Sequence, residues 1–170
     1  MTLKDAWSGQ HVPVEEYREN LCVILGHIRA AHGQATRIVL VTPGPVCYEK
    51  WAAKCAEYGN DGYPCPDRTS ETAREYAEAC KQVAQETSTP VVDLFQALGH
   101  GEQVQACDAL VDGLHFAPPA NAALFSGIQE LVKEHWPEAV PEALPLFSPE
   151  WSAIDRDDPG ATFAAWSGGL

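Results

Sequence analysis

The feature of this sequence that most constrains its fold is a pair of short apolar runs separated by a helical segment. The first run, RIVLVTPGP at residues 37–45, is rich in β-branched residues and ends in a Pro-Gly-Pro turn. Such a run is typical of a strand that is buried on both faces of a parallel sheet. The second run, VVDLF at residues 91–95, is also a predicted strand. Two strands joined by a helix predict a right-handed crossover and therefore an α/β fold.

Three helices are predicted around these strands from the spacing of their apolar residues. They cover roughly residues 13–33, 70–89 and 118–136, and Thr69 or Ser70 is expected to cap the second. The residues expected on the core faces are Tyr17, Leu21, Ile24 and Ile28 in the first helix, Ala73, Tyr76, Ala77, Cys80, Val83 and Ala84 in the second, and Leu124, Ile128, Leu131 and Val132 in the third.

The remaining segments have weaker patterns. Residues 46–67 show no strong period and are predicted to be mostly loop, although VCYEKWAAKCAEY at residues 46–58 could hold one or two helical turns. Four prolines after residue 140 rule out a long helix in the first part of the C-terminal segment. We therefore expect a main domain over residues 1–140, followed by a proline-rich strap and tail over residues 141–170.

The charge of the chain limits its partners. A formal net charge of -13 argues against binding to nucleic acid or to anionic membrane surfaces, since both would repel so acidic a protein. The sequence has no apolar signal core at its start and no run long enough to cross a bilayer. These features predict a cytoplasmic protein with no membrane span.

The six cysteines contain no CxxC pair, and the chain is not a small secreted scaffold. We therefore expect reduced thiols, most of them buried. Cys47, Cys55 and Cys65 lie in the 46–67 segment, but no base or orienting group that could activate a thiol nucleophile is near them in the sequence. We therefore interpret their side chains as packed or incidentally exposed. Zinc is disfavoured, because the spacing of Cys22, His27 and His32 fits no closed tetrahedral site.

Asp112 lies three residues before His115, in the segment that leads into the last long helix. A carboxylate that accepts a hydrogen bond from one imidazole nitrogen makes the other nitrogen an effective general base. In an α/β fold such a loop lies at the carboxyl edge of the sheet, where ligands bind. The alternative is structural: Asp112 forms an Asx-type turn near a helix start. On spacing alone the structural alternative is favoured. Asp93, at the end of the second strand, is expected to cap the helical turn that follows.

Four stretches of the sequence carry a resemblance to a known family: HVPVEEYRENL, RIVLVTPGPV, YAEACKQVAQETSTPVVDLF and LVDGLHFAPPANAALFSGIQELV. Together they resemble the C-terminal part of the SGNH (GDSL-type) hydrolases, and most closely the isoamyl acetate-hydrolysing esterases. The resemblance covers about residues 10 to 155. It implies a three-layer, flavodoxin-like SGNH hydrolase fold with a parallel sheet. It also implies that Asp112 and His115 are the acid and base of a Ser-His-Asp triad.

The sequence departs from this family upstream of the first helix. Members begin with a strand that ends in a GDS block carrying the nucleophilic serine, followed by glycine and GxND blocks that complete the oxyanion hole. None of the three blocks is present, and the seven serines of the chain lie in no GDS or GxSxG context. We expect a truncated chain that lacks the N-terminal strands and has negligible esterase activity by itself.

Two classes of function follow from the sequence. By resemblance the chain is a serine ester hydrolase that acts on small esters such as short-chain acetates and needs no cofactor or metal. The alternative is a noncatalytic binding or assembly module derived from such an esterase, which forms homo-oligomers through an unpaired side of its sheet.

Overall fold

The structure, a computed structural model, describes residues 11–57, 67–99, 107–144 and 148–166 of the 170-residue chain. The chain divides into two compact units, the first of which ends at Leu131. This first unit contains both strands and the predicted Asp-His pair. Within the described ranges, no helix is both long and apolar enough to cross a bilayer.

The two apolar runs form short parallel strands, β1 (Leu40–Val41) and β2 (Val91–Val92), which pair residue for residue. This pairing confirms the predicted strand-helix-strand unit and the α/β class. The expected burial of the first strand on both faces is wrong, since Val41 is 37% exposed. Among the described residues β1 has β2 as its one strand neighbour, so the sheet covers β1 on one edge only.

The first two predicted helices are present with the expected ends. Helix α1 (Val14–His32) follows Pro13 and ends at Gly33, whose φ of 90° is readily adopted by glycine. Helix α3 (Ser70–Glu86) is capped by Thr69, whose hydroxyl accepts a hydrogen bond from the Thr72 backbone amide. Of the six residues predicted for the core face of α3, Ala77, Cys80, Val83 and Ala84 are buried, and Ala73 and Tyr76 are partly buried.

Packing between α1 and α3 decides which side of α1 faces the core. The rings of Tyr17 and Tyr76 meet edge to face with their centroids 5.2 Å apart, an arrangement that aromatic pairs favour. Leu25 is only 2% exposed, whereas Ile24, predicted for the core face, is 51% exposed. The core face of α1 therefore includes Leu25 in place of Ile24, whereas the other three predicted residues, Tyr17, Leu21 and Ile28, are partly buried.

The segment predicted to be mostly loop contains a ten-residue helix, α2 (Tyr48–Glu57). The prediction is wrong for this part of the segment, and residues 58–66 lie outside the described ranges. Trp51 and Cys55 are buried one turn apart on α2 and pack with Val46. Two buried positions at this spacing are enough to fix a short amphipathic helix in the tertiary structure.

Asp93 follows β2 and caps a short helix, α4 (Leu94–Ala97), by accepting a hydrogen bond from the Gln96 amide at 3.0 Å. This confirms the predicted capping role. The Asp93 carboxylate also pairs with Lys81 at 3.0 Å and accepts a bond from the Thr42 hydroxyl at 3.3 Å. The side chain therefore links the ends of the two strands to α3.

The last long helix, α5 (Pro118–His135), begins at a predicted proline and ends beside Trp136. Leu131 is buried on it, as predicted. The helix lies close to β2: a Cβ atom added to Gly127 would lie 2.8 Å from Cγ1 of Val92. Glycine at this position allows the close approach of helix and strand.

The second compact unit begins at Val132. Two 3-10 turns, Pro137–Ala139 and Trp151–Ala153, precede a short helix, α6 (Pro159–Ala165). Asp158 caps α6 by accepting a hydrogen bond from the backbone amide three residues on, at 3.0 Å. The division of the chain at residue 140 and the strap-like role of the C-terminal segment remain predictions.

The structure contains a disulfide between Cys47 and Cys107, and Cys55 is also disulfide-bonded. The expectation of reduced thiols is therefore wrong for these three residues. Cys22 and Cys80 are free, as expected. Nothing in the spacing of the cysteines predicted this bridge, because Cys47 and Cys107 are 60 residues apart and are brought together only by the fold.

Removal of the Cys47–Cys107 bridge is expected to lower the free energy of unfolding by roughly 2 to 4 kcal/mol, because the bridge closes a long loop in the unfolded chain. Urea denaturation of a Cys47→Ala/Cys107→Ala double variant measures this loss. Cys22→Ala, which removes an exposed free thiol, is the matched control. Equal midpoints for the double variant and the native chain would contradict the prediction.

Candidate active site

The predicted Asp-His pair lies in a tight loop just before α5. The base of this loop is closed by an antiparallel bridge between Leu110 and Phe116 and by a hydrogen bond from the Val111 amide to the His115 carbonyl oxygen at 2.8 Å. The loop between these contacts contains Asp112 and His115. Backbone hydrogen bonds therefore bring the two residues together before any side-chain contact is considered.

Asp112 uses both of its carboxylate oxygens within this loop. Oδ1 accepts hydrogen bonds from the backbone amides of Leu114 at 3.0 Å and His115 at 2.9 Å. Oδ2 accepts a hydrogen bond from Nδ1 of His115 at 2.7 Å. The Asx-type turn and the Asp-His pair were alternatives in the sequence, but here one carboxylate forms both.

The ionisation of Asp112 determines which imidazole nitrogen of His115 carries the proton of their hydrogen bond. The hydrogen bond from the His115 backbone amide is the main reason that the pKa of the Asp112 carboxyl lies well below its usual range. The imidazole and the Leu114 amide lower this pKa further, and partial burial opposes the shift. An ionised carboxylate can only accept, so Nδ1 must carry the proton of this bond. This leaves Nε2 of the neutral ring available to take up a proton.

The two side chains differ in exposure. The Asp112 side chain is 17% exposed and the His115 side chain is 72% exposed. Among the described residues, the hydrogen bonds of the His115 imidazole go to Asp112. The carboxylate is therefore fixed in the loop while the imidazole extends from it, as a base that acts on a bound group requires.

The depressed pKa of Asp112 predicts a pH-dependent contribution to stability. A carboxylate with a lowered folded-state pKa stabilises the fold above its unfolded-state pKa of about 4, and this contribution is lost as the pH falls further. We expect Asp112→Asn to lower the free energy of unfolding by about 1 to 3 kcal/mol at pH 7. The difference from the native chain should shrink between pH 4 and pH 2. An equal difference at pH 7 and pH 2.5 in urea titrations would contradict this assignment.

A cavity of about 450 Å³ lies beside the loop. Leu114 and Phe116, the residues on either side of His115, line it together with residues 43–46, which follow β1. Thr72 and Tyr76 on α3 add hydroxyl groups to the lining. The volume is in the range of small-molecule sites, and the cavity lies at the carboxyl end of a parallel strand, where α/β folds bind ligands.

The wall of the cavity formed by residues 43–46 is held in place by two contacts. Ser70 Oγ accepts a hydrogen bond from the Val46 amide at 3.0 Å and donates one to the Val46 carbonyl oxygen at 2.8 Å. The ring of Phe116 lies against Gly44, where an added Cβ would be 3.2 Å from Cε1. Ser70, which was also a possible helix cap, is instead a support for this wall.

Three residues of the site had not been singled out in the sequence. Gly113 follows Asp112 with a φ of 93° and lies against the start of α2. The Cys47 amide donates to the Gly113 carbonyl oxygen at 2.9 Å, and the Lys50 ammonium bonds to the start of the loop. The Asp-Gly dipeptide is a turn signal that indicates the glycine. The contacts from α2 had no signal, because at most one or two helical turns were predicted there and nothing placed them against the loop.

Comparison with known proteins matches the part of the chain that contains these residues to one family. The model of the GDSL-like lipase/acylhydrolase family matches residues 5–123. The isoamyl acetate-hydrolyzing esterase 1 homolog of Homo sapiens is 34% identical over 92% of this chain and 59% of its own length. A GDSL esterase/lipase of Arabidopsis thaliana is 35% identical over 91% of this chain and 62% of its own length. The chain thus spans about three fifths of these curated relatives.

Solved structures show the same fold at lower identity. A lipase/acylhydrolase from Enterococcus faecalis is 21% identical and superposes with a TM-score of 0.55. The superposition covers 76% of this chain and 56% of the Enterococcus faecalis chain. A catalytic mutant of Axe2, an acetylxylan esterase from Geobacillus stearothermophilus, superposes on 73% of this chain and 49% of its own with a TM-score of 0.52 and 18% identity. These structures support the predicted fold class.

Proposed function

The chain belongs to the GDSL-like lipase/acylhydrolase family, and on this premise we propose that it functions in the hydrolysis of small carboxylic esters. The observation that carries the proposal is the 2.7 Å hydrogen bond between Asp112 Oδ2 and His115 Nδ1. Neither side chain lines the cavity, but Leu114 and Phe116 of the same loop do. That bond gives the imidazole the tautomer and orientation that a general base requires.

In the proposed reaction a serine hydroxyl attacks the ester carbonyl carbon while Nε2 of His115 takes the hydroxyl proton. Asp112 keeps the ring in place and stabilises the imidazolium that forms. His115 then returns the proton to the leaving alcohol, and an acyl-serine remains. A water molecule, deprotonated by the same nitrogen, releases the carboxylic acid. The serine and the oxyanion donors belong to the family's GDS, glycine and GxND blocks, which the 170-residue sequence does not contain.

Short-chain acetates are the proposed substrates. The cavity of about 450 Å³ suits a small ester. Its lining combines apolar residues 43–46, Leu114 and Phe116 with the hydroxyls of α3 and with the polar side chains of His11, Asp67 and Arg68. The human sequence relative is named an isoamyl acetate-hydrolyzing esterase homolog, and one structural neighbour is an acetylxylan esterase, so both names refer to acetate esters. We therefore expect turnover to be greatest for acetyl and butyryl esters.

The proposal is tested with a series of p-nitrophenyl esters of increasing acyl length. The chain alone is expected to show negligible turnover, because losing the oxyanion donors with the serine removes the residual catalysis that a triad mutant keeps. The same chain joined behind a segment with the three missing blocks is expected to hydrolyse the short esters. If a correctly folded joined protein shows no turnover, the noncatalytic binding or assembly alternative takes its place.

The cytoplasmic location and the homo-oligomer remain predictions. The Cys47–Cys107 disulfide weighs against the cytoplasm, because such bridges persist in oxidising compartments. Fractionation of the source cells, followed by thiol labelling of the purified chain, decides between the cytoplasm and an oxidising compartment.

A further inference from the structure

We propose that Lys50 is a positioning residue for the Asp112–His115 pair. Its role in catalysis rests on the proposed function, but its effect on the geometry of the pair does not. Lys50 lies on α2 and is remote in sequence from the loop. It contacts the loop both before and after Asp112, and it touches neither carboxylate nor imidazole.

The first contact is made by the ammonium group. Lys50 Nζ donates hydrogen bonds to the carbonyl oxygens of Cys107 and, at 2.9 Å, of Leu110. Residues 107–109 form a helical turn, and Leu110 is the last residue before the loop. The Cys107 carbonyl oxygen also accepts a hydrogen bond from the Leu110 amide at 3.3 Å, so the ammonium binds at both ends of this turn. The entry to the loop is thereby fixed to α2.

The second contact is made by the aliphatic stem. An added Cβ atom on Gly113 would lie 3.0 Å from Cβ of Lys50, so the stem lies directly against the residue that follows Asp112. The Gly113 carbonyl oxygen accepts a hydrogen bond at 2.9 Å from the amide of Cys47, the residue that directly precedes α2 and lies three positions before Lys50. Lys50 therefore holds Leu110 with its ammonium and Gly113 with its stem, on either side of Asp112.

The position of Asp112 depends on both contacts. Its Oδ1 bonds to the backbone amides of Leu114 and His115, and its Oδ2 must stay 2.7 Å from the imidazole. A displacement of the loop entry moves the carboxylate relative to these three donors. Displacements of this kind matter for catalysis, since a misplacement of about 1 Å can cost about 100-fold in rate.

The disulfide makes this role testable without loss of the fold. Cys47–Cys107 already ties the helical turn to the start of α2 by a covalent bond. Loss of the Lys50 ammonium therefore frees the loop at Leu110 while the turn before it stays attached. We expect Lys50→Met, which keeps an unbranched apolar stem, to fold with the loop displaced.

The experiment uses the 170-residue chain labelled with ¹⁵N-histidine and needs no substrate. In the native chain we expect the downfield proton resonance of His115 Nδ1–H and the nitrogen shifts of a single Nδ1–H tautomer. Lys50→Met should broaden or abolish that proton resonance and shift both nitrogens toward a mixture of tautomers. Lys50→Arg, whose guanidinium has donors for both carbonyls, should restore the native signals.

Lys54→Met is the matched control, because Lys54 is one turn further on α2 and its ammonium pairs with Glu57 at 2.6 Å. It should leave the His115 signals unchanged. Native His115 signals in a folded Lys50→Met chain overturn the proposal, even if its melting temperature is lower. If Lys50→Met does not fold, Lys50→Gln takes its place and native signals overturn the proposal in the same way. Failure of the ester assay leaves this result intact, so the two proposals fail separately.

Discussion

Replacing His115 by alanine is expected to lower kcat for short-chain p-nitrophenyl esters by about 10⁴-fold or more, in a protein that joins this chain to the family's serine-bearing blocks. The reason is that the imidazole performs both proton transfers of the proposed reaction. Without it the serine hydroxyl must lose its proton to water, and the leaving alcohol departs without an acid. Initial rates at saturating acetyl ester measure the effect.

Two further variants show that the loss is specific to the pair. Asp112→Asn is expected to lower kcat by about 10⁴-fold, because an amide at this position no longer selects the Nδ1–H tautomer. His27→Ala, which removes an exposed histidine from α1, should leave kcat and KM within twofold of the parent. A His115→Ala protein that keeps a tenth of the parent rate would exclude His115 as the general base.

The sequence was informative where a local pattern determines a local structure. Residues 37–45 and 91–95 predicted both strands, because a continuous β-branched run has few alternatives to a buried strand. The ends of α1 and α5 followed from prolines and a glycine whose backbone preferences do not depend on the rest of the fold. The spacing of Asp112 and His115 indicated that the two side chains could meet, because all their mutual contacts are within four consecutive residues. Their proposed roles came from the family resemblance and not from the spacing.

The sequence was uninformative where contacts form between distant segments. Helix α2 is held by the burial of Trp51 and Cys55, and neither burial can be read from the segment itself. The Cys47–Cys107 bridge and the Lys50 hydrogen bonds join residues about 60 positions apart. Exposure of Val41 depends on which strands pair with β1, and an apolar run does not specify its neighbours. The features that were not predicted from the sequence therefore all depend on tertiary contacts.

The geometry of the Asp112–His115 pair depends on the loop that contains it and on the contacts of that loop with α2. The short spacing of the two residues makes their hydrogen bond possible, but the same spacing also forms an ordinary Asx turn. The loop is distinguished by its attachment to α2 through Cys47 and Lys50. The Asp112–His115 arrangement is thus local in sequence, whereas the position of its loop depends on contacts with a helix about 60 residues earlier. Substitutions on α2 are therefore expected to disturb the pair without touching it.

Gly113→Ala is the variant that should disturb this attachment most. A Cβ atom at position 113 would lie 2.4 Å from the Trp51 backbone nitrogen and 2.5 Å from the Cys47 carbonyl oxygen. Both are backbone atoms at the start of α2, so no side chain can rotate away. The φ of 93° adds strain for any residue other than glycine. Together the overpacking and the strain are expected to lower the free energy of unfolding by about 4 to 6 kcal/mol.

Gly33→Ala separates these two contributions. Gly33 has a similar φ of 90°, but nothing lies within 4 Å of an added Cβ, so this variant suffers the backbone strain alone, about 1 to 2 kcal/mol. Urea denaturation of both variants gives the cost of the close approach by difference. A loss of 4 to 6 kcal/mol is a large share of the stability of an ordinary domain, so Gly113→Ala should be partly unfolded without denaturant. Equal losses in the two variants would show that α2 does not hold the loop at Gly113.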